Sequence, residues 1–403
     1  MRRGVNAFVP ERLGQVLAAR RLAQSQLAAL VGVSAATVSK WRSGGQFPEA
    51  EALERLASVV NVQPEWFTRP LLRGGSDPLF RSNASAHVAA RAQLRARHEW
   101  VQEVALAIEE MVDFPELRLP ARAFREPEEI TQADIEDAAN ECREMWGVGR
   151  RAIQDLTLAV EGAGVIVVRE ETGIAQIEGL SAWSHALSRP VILLSADKGN
   201  AFRSRFDLAH ELGHLVLHKH IGSVEEPNRH KLMERQAHQF AGAFLLPAET
   251  FSRDVRTPCT LDDLLQLKAR WGVSVAAIAM RLRTLGLIDD EEKLSLFKRR
   301  SARWGAKSEP LDDSRRPESP RLLRRSIELI VESGVMPLES IPSSMGLSPN
   351  DIQSIAGLPE SFFQGPARVI ELARLRSTIQ RDRSDELQGV NSNRVVPFRR
   401  RVE

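Results

Sequence analysis

Residues 205–220 read RFDLAHELGHLVLHKH and place four of the chain's nine histidines within eleven positions, His210 to His220. In a helix, positions four apart lie on one face, so His210 and His214 can present two imidazole nitrogens to a single metal ion. Glu211, one step round the helix, then points toward where an attacking water would sit, which is the arrangement that HExxH encodes. Leu208, Ala209, Leu212, Gly213, Leu215 and Val216 are all uncharged, as a buried helix requires. The stretch predicts a buried, metal-binding helix rather than a polar turn.

Catalytic zinc takes three protein ligands and keeps a fourth position open. The best third ligand downstream is Glu234 in MERQAHQFAGAFLLP, which begins an amphipathic helix whose Ala237, Phe240, Ala241 and Phe244 can pack on the first. His238, four residues on from Glu234, and His218, four on from His214, compete for the role. Two histidines and a glutamate leave a divalent site with a net charge of about +1, enough to acidify water while Glu211 takes its proton. The chain has no tyrosine, so an oxyanion must be stabilised by another donor, with His185, Arg203 and His230 as candidates.

Around this centre, GAGVIVVRE (162–170) and RPVILLSAD (189–197) are short Val- and Ile-rich runs bounded by Gly, Pro or Asp, which read as strands. Helical patterns span residues 86–112, 128–146 and 261–288, and helices return over 321–380. SARWGAKSEPLDDSRRPESP (301–320) reads as a linker, and the tail 381–403 as disordered in part. The predicted fold class is mainly α with a small α+β unit. No apolar run approaches the roughly 20 residues that span a bilayer. Two cysteines far apart in sequence and no apolar leader-like stretch after MRRGVNAFVPERL predict a cytoplasmic protein without a disulfide framework.

The net charge of +2 hides an asymmetry: residues 1–97 hold 14 Lys/Arg against 6 Asp/Glu, and residues 99–144 hold 4 against 14. A polyanion partner is therefore expected for the first part only. There, Gln24 to Val31 predicts one helix, Gly32 a sharp turn, and Ser34 the N-cap of a second helix running to about Arg42. Val38 and Trp41 face the core, which leaves Ala35, Ala36, Thr37, Ser39 and Lys40 on or near the outer face. Small and polar side chains at the amino end of such a helix can enter a major groove and reach base edges.

Residues 12–67 resemble the lambda-repressor-like, Xre-type helix-turn-helix family, which implies a five-helix domain binding double-stranded operator DNA as a homodimer. In that family the residue matching Gln24 touches the phosphate backbone. RSRFDLAHELGHLVLH, ERQAHQFAGAFLLP and LKARWGVSVAAIAMRLRTLGLI together resemble the ImmA/IrrE metallo-endopeptidases, which often follow an Xre-type domain in one chain. The resemblance implies zinc, with manganese as the alternative, on His210, His214 and Glu234, and Glu211 as general base. It also implies a protein substrate, the chain itself or a partner Xre-type repressor, cut in response to a signal. The competing expectations are an antitoxin of a toxin-antitoxin or phage-defence module that binds a toxin, and an idle metal-binding sensor of a ligand. The corresponding domains are 1–75 for DNA binding, 76–149 as a helical connection, 150–290 for the metallopeptidase, 291–380 as a helical carboxy-terminal region, and the tail.

Overall fold

The computed structural model describes residues 4–72, 79–82, 88–174, 177–197, 199–222, 226–305 and 308–364. The tail 381–403, the end of the expected carboxy-terminal helices and the RGGSDP boundary at 73–78 lie outside the described residues. Four helices open the chain: α1 (Pro10–Arg20), α2 (Gln24–Val31), α3 (Ala35–Arg42) and α4 (Ala50–Val60). The fifth helical element expected there is a single 3-10 turn, Pro64–Thr68, started by its proline and buried through Trp66 and Phe67. Within the connection expected to be helical, β1 (Leu79–Ser82) precedes α5 (Val88–Glu109) and α6 (Gln132–Met145).

The central unit follows as α7 (Leu156–Gly162), β2 (Ile166–Glu170), β3 (Ile177–Ser184), β4 (Arg189–Ser195), α8 (Ala201–Leu217) and α9 (Pro227–Leu245). Helices α10 (Ala248–Asp254), α11 (Leu261–Trp271), α12 (Val275–Thr284) and α13 (Asp290–Trp304) complete it, and α14 (Leu322–Glu332), α15 (Ile341–Met345) and α16 (Pro349–Ala356) end the described chain. The sheet has the order β1-β3-β4-β2, with β2 and β4 parallel and the other two pairs antiparallel. Both strands expected from sequence are present, as β2 and β4. Strand β3 between them was not expected.

Alternation along the strands divides the core, because successive side chains point to opposite faces. Ile166, Val168, Val191 and Leu193 join one apolar cluster with α5, the amino-terminal helices and α14 to α16. Val167, Ile192 and Leu194 join the other, with α6 to α9 and α11 to α13. The chain thus returns its carboxy-terminal helices to the sheet face against which α5 packs, and α5 in turn carries α1. Buried ions tie these parts together. Both terminal nitrogens of the Arg20 guanidinium donate to Asp351 (2.6 and 2.7 Å), and Arg97 donates to Asp351 (2.8 Å) and to Glu170. Arg12 pairs with Glu103 of α5. Part of the basic excess of the first 97 residues is therefore neutralised within the fold, while Lys40 and Arg42 stay exposed. No described helix is long and apolar enough to cross a membrane.

Candidate metal centre and DNA-reading helix

Helix α8 begins at Asn200, whose Oδ1 accepts from the amide of Arg203 (3.0 Å). It buries His210, Glu211 and His214. Gly213 lies between them, and a Cβ there would stand 3.1 Å from Phe240 Cβ and 3.2 Å from Ala237 Cα. Glycine therefore lets α9 lie directly on α8. The close approach carries Glu234 to the histidines, with its carboxylate oxygens 3.2 Å from His214 Nε2 and 3.5 Å from His210 Nε2. The two Nε2 atoms are 3.1 Å apart, and one ligand atom from each of the three residues lies within 4.8 Å of the others. Burial pushes the Glu234 carboxyl up, but hydrogen bonds from His210 and His214 outweigh it and hold the group well below the usual carboxylate range.

The proton positions on the histidines follow from a chain of partners. Gln236 Nε2 donates to the Pro127 carbonyl (2.6 Å), so its Oε1 is the acceptor facing His218 Nε2 (3.1 Å). His218 then carries its proton on Nε2 and accepts on Nδ1, where His214 Nδ1 donates at 3.0 Å. With Nδ1 donating to His218, loss of the Nε2 proton that His214 shares with Glu234 would leave a lone pair there for a metal. Burial, and then the neighbouring His214, push His218 down to about 3, which keeps the His218 ring neutral. His218 thus sets the tautomer of His214 instead of joining the three. His238 is exposed, donates from Nδ1 to the Glu234 carbonyl (2.7 Å), and lays its ring 4.4 Å from that of His210. Two imidazoles and a carboxylate, with the orientation of one imidazole fixed from behind, form a donor set that fits zinc.

Glu211 is fully buried under β3. Its Oε2 accepts from Ser181 Oγ at 2.7 Å, and a Cβ on Gly179 would come within 3.1 Å of its Oε1. Gly179, Ser181 and Trp183 share one strand face, and the Trp183 indole donates to the Leu215 carbonyl of α8 (3.3 Å). Sequence reading missed Gly179 and Ser181 because small residues weaken a strand pattern. The available signal was their spacing of two in EGLSAWS. Of the oxyanion candidates, His230 sits one turn before Glu234 on α9, Arg203 two turns before His210 on α8, and His185 is exposed in the turn after β3.

In the first domain Gly32 closes α2 with φ of 76°, and Ser34 Oγ accepts from the Thr37 amide (3.0 Å) to cap α3. Val38 and Trp41 are buried, Thr37 is half-buried, and Ser34, Ala35, Ala36, Ser39 and Lys40 are exposed. Gln24 Nε2 donates to the Ala35 carbonyl (3.1 Å), which ties the first helix of the pair to the start of the second. Residues 34–40 thus run along α3 from its N-cap to its last turn, with Gln24 of α2 bonded to the start of the helix.

Two segments of the chain match known protein families. Residues 13–67 match the helix-turn-helix family model, and residues 160–283 match that of the IrrE N-terminal-like domain, peptidase M78. A search of curated proteins finds no match. The chain therefore joins a DNA-binding helix-turn-helix domain to an IrrE-like domain of the peptidase M78 family.

Proposed function

We propose that the protein is a cytoplasmic, dimeric repressor whose zinc-dependent endopeptidase cleaves the chain itself or a partner Xre-type repressor when a signal arrives. The observation that carries this reading is the convergence of His210, His214 and Glu234 beside the buried Glu211. The three would hold zinc, or manganese in its place. A bound ion polarises the scissile carbonyl and lowers the pKa of water. Glu211 takes the water's proton and returns it to the leaving amine. Ser181 orients the Glu211 carboxylate by donating to Oε2, and the surrounding apolar helix keeps bulk water from it.

Ser34, Ala35, Ala36, Thr37, Ser39 and Lys40 enter the major groove of the operator, and Gln24 reaches the phosphate backbone by exchanging its bond to Ala35 for one to DNA. Pairing two chains supplies the second half-site. The working boundaries are 1–75 for DNA binding, 76–149 for the connection, 150–290 for the peptidase and 291–380 for the carboxy-terminal helices. Glu211→Gln tests the reading, since general-base removal costs about 100- to 10,000-fold in rate. Under the inducing condition the variant should accumulate intact chain or partner repressor and keep the operon repressed, with metal content and operator affinity unchanged. Normal derepression by Glu211→Gln without a cleavage product on a blot would exclude the peptidase.

A further inference from the structure

Beside the histidine cluster, α8, α9 and α12 enclose a cavity of about 350 Å³, within the range of about 300–1,000 Å³ that ligand pockets span. Phe206, Ala276, Ala277 and Met280 supply apolar walls, and Arg203 and Arg235 supply charge. His238 borders it too, so the cavity lies one imidazole away from His210. The other two charged groups along the wall are engaged. Arg281 donates to the Leu246 carbonyl (3.0 Å) and pairs with Glu136, and Asp207 is buried with a partner of its own.

Arg203 and Arg235 differ from these. Both are exposed, and among the described residues neither guanidinium has an ion-pair partner. Arg203 also stands in the first turn of α8, where the helix dipole disfavours a cation. Neither helix stability nor pairing accounts for these two charges beside an apolar cavity. Met280, half exposed at 51%, leaves the apolar wall open to an incoming group, and the alanines at 276 and 277 leave room for it.

We propose that this cavity is a specificity subsite for a bulky apolar substrate side chain flanked by a carboxylate residue, which Arg203 and Arg235 recognise. The proposal rests on the peptidase reading of the neighbouring site. Guanidinium and carboxylate form paired, charge-assisted hydrogen bonds, and a basic segment in the same place meets like charge and is rejected. The substrate class is therefore an acidic, apolar stretch of polypeptide.

The test uses the full-length, zinc-loaded chain carrying Glu211→Gln and two fluorescein-labelled peptides, GELFDG and GKLFKG, followed by anisotropy. GELFDG should bind at least tenfold more tightly than GKLFKG. Arg203→Glu with Arg235→Glu should reverse the order, and Ala277→Trp, which fills the cavity, should weaken both at least tenfold. Equal binding of the two peptides, or an order unchanged by the double reversal, overturns the proposal. Digestion of a random peptide library by the wild-type chain separates the two readings. Cuts without acidic and apolar residues nearby overturn the subsite and leave the peptidase standing. The expected binding order with no peptide cut overturns the peptidase reading alone.

Discussion

Glu309 stands in a stretch whose composition reads as linker, yet it is 7% exposed and accepts four hydrogen bonds. Its donors are Lys268 Nζ (3.0 Å), Arg300 Nε (2.9 Å) and the amides of Val275 (2.8 Å) and Ala276 (3.2 Å). The amides belong to the first turn of α12, which Ser274 also caps by accepting from Ala277 (3.2 Å). Glu309→Ala strips these donors at once. Removing one partner of a buried ion pair costs about 3–5 kcal/mol. The lower part of that range, about 3–4 kcal/mol, is expected because Asp312 remains 2.5 Å from the fully buried Lys268. Glu309→Gln keeps an acceptor for the amides and loses the charge, so about half that cost should remain. Urea unfolding at pH 7, followed by far-ultraviolet circular dichroism and tryptophan fluorescence, measures both against the exposed Glu339→Ala, which should stay within about 0.5 kcal/mol of wild type. A loss below about 1 kcal/mol for Glu309→Ala would show that 301–320 is a linker after all. Because α12 walls the cavity beside the histidines, the same variant should also weaken binding of GELFDG.

His98 is buried between α5 and β4, with Nε2 3.2 Å from the Val191 carbonyl and Nδ1 accepting from Gln102, and burial lowers its pKa to about 4. The unfolded chain takes up this proton near pH 6.5 and the folded one only near 4, so about 3 kcal/mol of stability should be lost as pH falls through that window. His98→Gln should flatten that part of the pH profile, and an unchanged slope would assign it to other groups. His210→Ala, His214→Ala and Glu234→Ala should each lose bound zinc by elemental analysis, and a full equivalent on Glu234→Ala would disprove its role. His218→Ala and Gln236→Leu should both keep zinc with about 10- to 100-fold weaker affinity, since they act through the His214 tautomer. His238→Ala should hold zinc as wild type does. Gly179→Val should displace the Glu211 carboxylate, lowering peptide cleavage at least tenfold with zinc retained; wild-type cleavage rates would mean that the strand yields instead.

The elements that recur at helical period were legible without a structure. HELGH fixes two imidazoles and a carboxylate by local geometry alone, because a helix places residues four apart on one face whatever surrounds it. Ser34 and Gly32 likewise announce the helix-turn-helix through capping and a left-handed turn, both of which are local events. Glu234 could be named as a candidate from its place in an amphipathic helix, but His218 and His238 carried the same spacing. The packing at Gly213 sets which face of α9 meets α8 and so brings Glu234 beside the two imidazoles. The support of Glu211 by Gly179 and Ser181, the Gln236–His218 chain that sets the His214 tautomer, and the burial of Glu309 join residues 30, 18 and 41 positions apart. Such contacts exist because distant segments share one core, and no periodicity in a single stretch records them. Sequence thus determined which residue types are available for metal and DNA, while tertiary structure decided their partners and the cavity beside them.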